Sequence, residues 1–131
     1  MSSGLRIVVA DDDLLFSTRV ASALTRCGHR PLVVRTAAAF REALRAGAAA
    51  AILNLASSPL DAVAAIRDAK ADPATRTVPV LGFCGHTDAA RQAAARAAGC
   101  DLVATNGEVS NNLPRLLSTL LATPHSKTPT P

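Results

Sequence analysis

Short apolar runs alternate along the chain with segments in which apolar residues recur every three or four positions. The runs cover 5–10, 32–34, 49–53, 78–83 and 101–104. Continuous apolar runs of this length are typical of strands that are buried on both faces of a parallel sheet. A segment with helical spacing follows each run, and the leucine-rich one at 113–121 is the strongest. Five strands alternating with five helices predict a parallel sheet with helices on both faces.

Cap and turn residues mark where several of these elements begin and end. Asp13 and Thr36 precede helical segments, and each can cap the first turn. The segment 58–61 combines a serine, a proline and an aspartate, which predicts the start of the third helix. Gly99 predicts the end of the fourth helix. The Asn-Gly pair at 106–107 predicts a turn with a positive φ at the glycine.

Length and composition favour a single domain without a membrane span. No apolar run among the 131 residues approaches the roughly 18 that a span needs, and the N-terminus lacks a signal-peptide pattern, so we expect a cytoplasmic protein. The net charge of +4 is spread without a basic block, which argues against nucleic-acid binding by the domain itself. We expect residues 1–122 to form the domain and 123–131, rich in proline and threonine, to be a disordered tail or the start of a linker.

The three cysteines, Cys27, Cys84 and Cys100, match no metal-binding spacing, and an odd number argues against a disulfide framework. Cys84 and His86 lie close together in one short loop, with no third residue to orient them, so we expect no Cys/His nucleophile. Two interpretations of Cys84 stay open. It is either a redox-sensitive thiol or a small buried residue at the end of a strand.

Three local motifs, in this order and spacing, resemble the receiver domains of two-component response regulators. The segment 7–13 resembles their first strand with its acidic pair, 72–80 resembles their loop into the fourth strand, and 97–101 resembles their small-residue turn into the fifth. The resemblance covers roughly residues 5–122. It implies a flavodoxin-like three-layer sandwich with a parallel sheet of strand order 2-1-3-4-5, and a site at the carboxyl ends of the first and third strands.

The site residues that the resemblance implies depart from the family's pattern. Asp11 and Asp12 match the two acids that hold a magnesium ion in the family, but Asn54 stands where the phosphate-accepting aspartate belongs. The family's hydroxyl residue, aromatic switch residue and lysine are replaced by Cys84, Val103 and Asn106. An amide cannot form an acyl phosphate, and the cation that phosphoryl transfer needs is missing. The resemblance therefore predicts a degenerate receiver, or pseudo-receiver, that is neither phosphorylated nor an enzyme.

A pseudo-receiver would act in signal transduction through protein–protein contact. The resemblance implies that the face made by the fourth helix, the fifth strand and the fifth helix meets a protein partner, an output domain or a second copy in a homodimer. The residues expected on this face are Arg91, Ala95, Val103, Thr105 and Arg115.

The sequence leaves one alternative open, in which a small ligand or a divalent cation in the acidic pocket switches the domain. Mg²⁺ is usually held by few carboxylates and several waters, so Asp11 and Asp12 form a minimal and weak site. The pseudo-receiver interpretation requires no cofactor. An enzyme on this fold is a third class, but the chain lacks a Gly-rich phosphate loop and a convincing nucleophile.

Overall fold

The computed structural model describes residues 4–122 and has a flavodoxin-like architecture, which confirms the predicted fold. A five-stranded parallel sheet of order β2-β1-β3-β4-β5 lies between two layers of helices. The strands are β1 (Arg6–Ala10), β2 (Arg30–Val34), β3 (Ala50–Asn54), β4 (Val80–Cys84) and β5 (Leu102–Thr105). The helices are α1 (Leu14–Arg26), α2 (Ala37–Arg45), α3 (Ala62–Ala71), α4 (Ala89–Ala98) and α5 (Asn106–Ala122). The predicted tail, 123–131, lies outside the described residues.

Alternating side chains of each strand supply two separate hydrophobic cores. Ile7 and Val9 of β1 pack with α1 and α5, whereas Val8 and Ala10 pack with the core formed with α2, α3 and α4. Successive residues of a strand point to opposite faces. The strands read as continuous apolar runs because both faces of this sheet are covered. Within residues 4–122, no helix is both long and apolar enough to cross a membrane.

Side-chain caps begin the first two helices, as predicted. Asp13 Oδ1 accepts a hydrogen bond from Phe16 N at 3.0 Å, and Thr36 Oγ1 accepts one from Ala39 N at 3.1 Å. Gly99 ends α4 with a φ of 107°, in the left-handed region that favours glycine. These three helix boundaries can be predicted from the sequence because each depends on contacts within a few residues of chain.

The start of α3 differs from the prediction. The segment 58–61 forms a separate turn, closed by a hydrogen bond from Asp61 N to Ser58 O, and the helix begins only at Ala62. Asp61 has a φ of 44° and makes no side-chain capping bond. The predicted helix start at 58–61 is therefore wrong, because this segment forms a turn that precedes the helix.

The predicted turn at 106–107 is wrong, because Asn106 and Gly107 are already helical and Gly107 has no positive φ. A capping box fixes this start of α5: Thr105 Oγ1 accepts from Glu108 N at 3.1 Å, and Glu108 Oε1 accepts from Thr105 N at 2.8 Å. Thr and Glu three residues apart are the sequence signal for this motif. Helical geometry then breaks at Asn112, with φ of −132°, before the leucine-rich part of the helix.

A half-buried ion pair ties α3 to the amino ends of β4 and β5. Lys70 Nζ lies 2.7 Å from Asp101 Oδ2 and also donates to the carbonyls of Arg76 and Val78. The same Asp101 oxygen accepts a hydrogen bond from Val80 N at 2.8 Å. Lys70 is the one lysine among residues 4–122, and it is held at the edge of the sheet opposite to the predicted site.

Candidate functional site

The predicted site residues meet at the carboxyl edge of the sheet, where parallel strands end together. Asp11 directly follows β1, Asn54 is the last residue of β3 and Cys84 is the last residue of β4. Ala10 of β1 pairs with Leu53 of β3, so Asp11 and Asn54 are neighbours across the two strands.

A hydrogen-bonded pair of Asp11 and Asn54 forms the centre of the site. Asn54 Nδ2 donates to Asp11 Oδ1 at 2.9 Å, and Asn54 Oδ1 accepts from Ala56 N at 2.9 Å. The second bond fixes the orientation of the amide, because only its oxygen can accept from a backbone N–H. Asp11 Oδ1 also accepts from Asp13 N at 3.0 Å. Asn54 therefore uses both ends of its side chain to hold the loops after β1 and β3.

Asp11 is fully buried, with 0% of its surface exposed, and its Oδ2 has no hydrogen-bond partner among the described residues. Desolvation by burial raises the pKa of this carboxyl, and the neighbouring carboxylates Asp13 and Asp12 raise it further. The hydrogen bonds from Asn54 and Asp13 oppose this rise in pKa but do not cancel it. A buried carboxylate oxygen without a donor favours a proton or a cation at that place.

The acidic pocket is suited at most to a weakly held metal ion. Asp11 offers one unpartnered oxygen and Asp12 is an exposed carboxylate beside it, which is a minimal set of hard ligands for Mg²⁺. No group of three or more His, Cys, Asp or Glu side chains within residues 4–122 is arranged to hold a metal.

Neither Cys84 nor Cys100 is suited to act as a nucleophile. Cys84 is 1% exposed, and burial, followed by the charge of Asp88, raises the pKa of its thiol. Burial raises the pKa of Cys100 to about 11. Both stay protonated near neutral pH, so Cys84 matches the expected small buried residue at a strand end. His86 is exposed in the following loop.

The remaining pocket positions supply no cation. Asn106 is exposed as the first residue of α5, and Val103 is half-buried in β5, where it packs against the core formed with α2, α3 and α4. Neither side chain carries a charge. With Lys70 at the opposite sheet edge, no described lysine can neutralise charge in the pocket.

The residues expected on the partner face range from exposed to fully buried. Arg91 and Arg115 are exposed, and Arg91 pairs with Asp88 one turn earlier. Thr105 is half-buried and engaged in the capping box of α5. Ala95 is 0% exposed, so its assignment to an exposed face is wrong. It lies on the side of α4 that packs against the sheet, where the short alanine side chain lets the helix approach closely.

Two exposed leucines beside the acidic pocket were not among the residues predicted for the site. Leu14 and Leu15 are 63% and 73% exposed in the first turn of α1. They fall outside the apolar stripe of that helix, which Val20 and Leu24 continue into the core. Composition alone does not distinguish these two leucines from core leucines, but their angular position around the helix axis does.

Comparison with known proteins agrees with this geometry. No protein-family model matches the chain, and no curated protein matches it in sequence. Among solved structures, the receiver domain of the sensor histidine kinase PA1611 from Pseudomonas aeruginosa, which holds a magnesium ion in its active-site cleft, is 21% identical with a TM-score of 0.81, over 92% of this chain and 100% of that one.

Two further receiver domains give similar values. The signal receiver domain of a response regulator from Bermanella marisrubri is 21% identical with a TM-score of 0.81, over 91% of this chain and 99% of that one. The receiver domain of NtrX from Brucella abortus is 20% identical with a TM-score of 0.80, over 89% and 98%. The chain has the receiver-domain fold. At these identities the likeness concerns the fold, and the pocket chemistry must be argued from the residues of this chain.

Proposed function

We propose that the chain is an atypical receiver domain that acts in signal transduction through protein–protein contact, without phosphorylation at the end of β3. The observation that carries this proposal is the pair of hydrogen bonds made by Asn54, one to Asp11 Oδ1 and one from Ala56 N. A phosphate acceptor needs a carboxylate oxygen that is free to attack phosphorus. The side chain of Asn54 is instead an amide whose nitrogen and oxygen both make hydrogen bonds.

The electrostatics of the pocket also support the proposal. Transfer of a phosphoryl group depends on positioning and on neutralisation of charge by metal and cation. Asn106 and Cys84 are uncharged, and Lys70 is bound to Asp101 at the far edge of the sheet. A phosphoryl group would therefore meet the carboxylates of Asp11 and Asp12 with no lysine to offset them.

We also propose a partner surface on α4, β5 and α5, which excludes the buried Ala95. Arg91 and Arg115 are exposed there, and Arg is common among residues that dominate binding energy at interfaces. The partner is another protein, an output domain or a second copy of this chain. Receiver folds also occur inside longer proteins, since this chain covers only 27% of a solved NtrX from Brucella abortus.

Incubation with acetyl phosphate and Mg²⁺, followed by intact mass measurement, tests the absence of phosphorylation. The expected result is no gain of a phosphoryl group, while a phosphorylatable receiver domain treated in parallel is modified. A phosphorylated species that maps to the pocket would overturn the proposal.

A binding comparison tests the partner surface. Self-association is measured by sedimentation, and partner capture by pull-down, for Arg91→Glu and Arg115→Glu, with Arg19→Glu on α1 as the control for the same change of charge. We expect the two face variants to lose binding and the control to keep it, with unchanged circular dichroism in all three. Loss of binding on Asp12→Asn, with the face variants unaffected, would instead assign control to the acidic pocket.

The unpartnered Oδ2 of Asp11 supports a second candidate, a domain switched by a divalent cation or a small ligand in that pocket. A bound Mg²⁺ would neutralise the charges of Asp11 and Asp12. Thermal melts with increasing Mg²⁺ test this, with Asp12→Asn as the variant that removes one ligand. A Mg²⁺-dependent rise in Tm that Asp12→Asn abolishes would support a cation site in this pocket, and no rise would exclude a switch by Mg²⁺.

A further inference from the structure

A groove of about 550 Å³ lies between the outer sides of α2 and α3. Its floor contains the buried side chains of Phe40, Leu44 and Leu60. This volume falls within the range of about 300–1,000 Å³ that is typical of small-molecule sites. The groove is separate from the Asp11–Asn54 pair, and none of the residues proposed for the partner face lines it.

The groove exists because α3 presents short side chains to α2. Ala64, Ala65 and Ala69 line it opposite Phe40 and Leu44. Protein interiors are normally close-packed, and alanines cannot fill the space that larger residues would occupy between two neighbouring helices. The result is an apolar floor under an open channel.

Charged residues on the two rims of the groove are unevenly paired. Arg45 joins the rims at one end, where its Nη2 lies 2.9 Å from Asp72 Oδ2. The side chains of Arg41, Asp61 and Asp68 also line the groove, and none of them makes an ion pair with another described residue. Two free carboxylates against one free guanidinium leave the opening with one net negative charge.

We propose that this groove binds a small molecule with an apolar ring-sized body and one protonated amine. The body would cover Phe40 and Leu44, and the amine would meet Asp61 and Asp68 at the rim. The backbone of Asp61 adds support, since its φ of 44° is costly for a residue other than glycine, and such residues concentrate at binding sites. This inference does not rest on the proposed signalling function.

A pair of probes with the same ring and opposite charge tests the proposal. Naphthylmethylamine and naphthoate are titrated separately into the isotope-labelled chain, and amide shifts are followed by NMR. We expect the amine to shift signals of α2 and α3 and to saturate, and the carboxylate to bind several-fold more weakly. Equal affinities would overturn the charge assignment, and shifts outside the groove would overturn the site.

Rim variants with matched controls sharpen the test. Asp68→Asn should weaken binding of the amine about two- to fivefold at low ionic strength, and Arg41→Met should tighten it by a similar factor. Glu42→Gln and Arg67→Met make the same changes of charge on exposed residues of α2 and α3 that do not line the groove. If the rim variants and the controls changed the affinity for the amine equally, the net surface charge would explain the changes. That outcome would overturn the proposal.

A filling variant tests the apolar floor independently of charge. Ala64→Leu should occupy the groove and abolish binding of the amine, with an unchanged or raised Tm, because Ala64 is half-buried and has space in front of it. Full binding by a folded Ala64→Leu would overturn the proposal. If that variant fails to fold, the opposite changes in affinity for the amine expected for Asp68→Asn and Arg41→Met still test the proposal.

Discussion

Replacing Asn54 by aspartate should place a second carboxylate against the buried one of Asp11. In the native chain, Asn54 Nδ2 donates to Asp11 Oδ1 across 2.9 Å, and Asp11 is fully buried. The variant loses this donor and brings two carboxyl groups to the same distance. Like charges at this separation prevent both groups from ionising freely, so one proton becomes shared between them.

The cost can be estimated from the geometry. Two unit charges about 4 Å apart near a protein surface interact by about 4 kcal/mol, and a lost hydrogen bond to a charged group adds about 1.5–3 kcal/mol. Protonation of one carboxyl relieves part of this, so we expect Asn54→Asp to lose about 2–4 kcal/mol of unfolding free energy at neutral pH. At about 4 °C per kcal/mol, Tm should fall by about 8–16 °C.

The stability lost in Asn54→Asp should depend on pH in a defined direction. Between the unfolded pKa of about 4 and the raised pKa of the pair, the folded variant binds more protons than the unfolded chain. Its stability therefore falls as pH rises through this window. The deficit relative to the native chain should be small near pH 4, where a shared proton restores a donor, and should be complete near neutral pH.

Urea melts of Asn54→Asp at several pH values, with and without Mg²⁺, measure this. Asn111→Asp, an exposed asparagine on α5, is the control for the same change of charge and should show neither effect. Mg²⁺ at tenfold excess over its Kd should return about 1.4 kcal/mol to the variant. A variant as stable as the native chain at neutral pH, or a deficit independent of pH, would refute the repulsion between the two carboxylates.

Three further variants test other parts of the structure. Asp11→Asn should remove one contribution to stability that weakens as pH rises above about 4, because the raised pKa of Asp11 makes folding favour its protonated form; urea melts of the native chain and the variant at two pH values measure the difference. Lys70→Met should cost about 2–4 kcal/mol in urea unfolding, since it leaves the half-buried carboxylate of Asp101 unpaired. Gly82→Ala should cost about 1–3 kcal/mol in thermal melts, because its Cβ would lie 2.7 Å from Leu55 Cδ2.

The architecture was predictable because it depends on patterns that each stretch of chain carries by itself. The apolar runs of β1 and β3 required cover on both faces, and right-handed crossovers then left few topologies. Helix starts were readable where one side chain caps one turn, as at Asp13. The start of α3 was misread because Asp61 adopts a left-handed conformation that the sequence 58–61 does not specify.

The pocket was predictable in composition but less so in its contacts. The sequence places Asp11 and Asn54 at neighbouring strand ends, but it does not show that the amide bonds both the carboxylate and Ala56 N. The orientation of α4 was also beyond the sequence, because an alanine-rich helix has no strong apolar stripe to identify its inner side. Ala95 was therefore assigned to the wrong side of that helix.

We expect charges introduced at Asn54 and Asn106 to interact electrostatically, and a double-variant cycle can measure this interaction. Asn106 begins α5 at the end of β5, two strands from Asn54 and thus about 10 Å away along the sheet edge, which a lysine side chain can largely span. Asn106→Lys alone should change stability little, because Asn106 is exposed. Combined with Asn54→Asp, it should recover about 1–3 kcal/mol of the loss, because the ammonium offsets the paired carboxylates. Strictly additive effects in urea melts would mean that charges at the two positions do not interact.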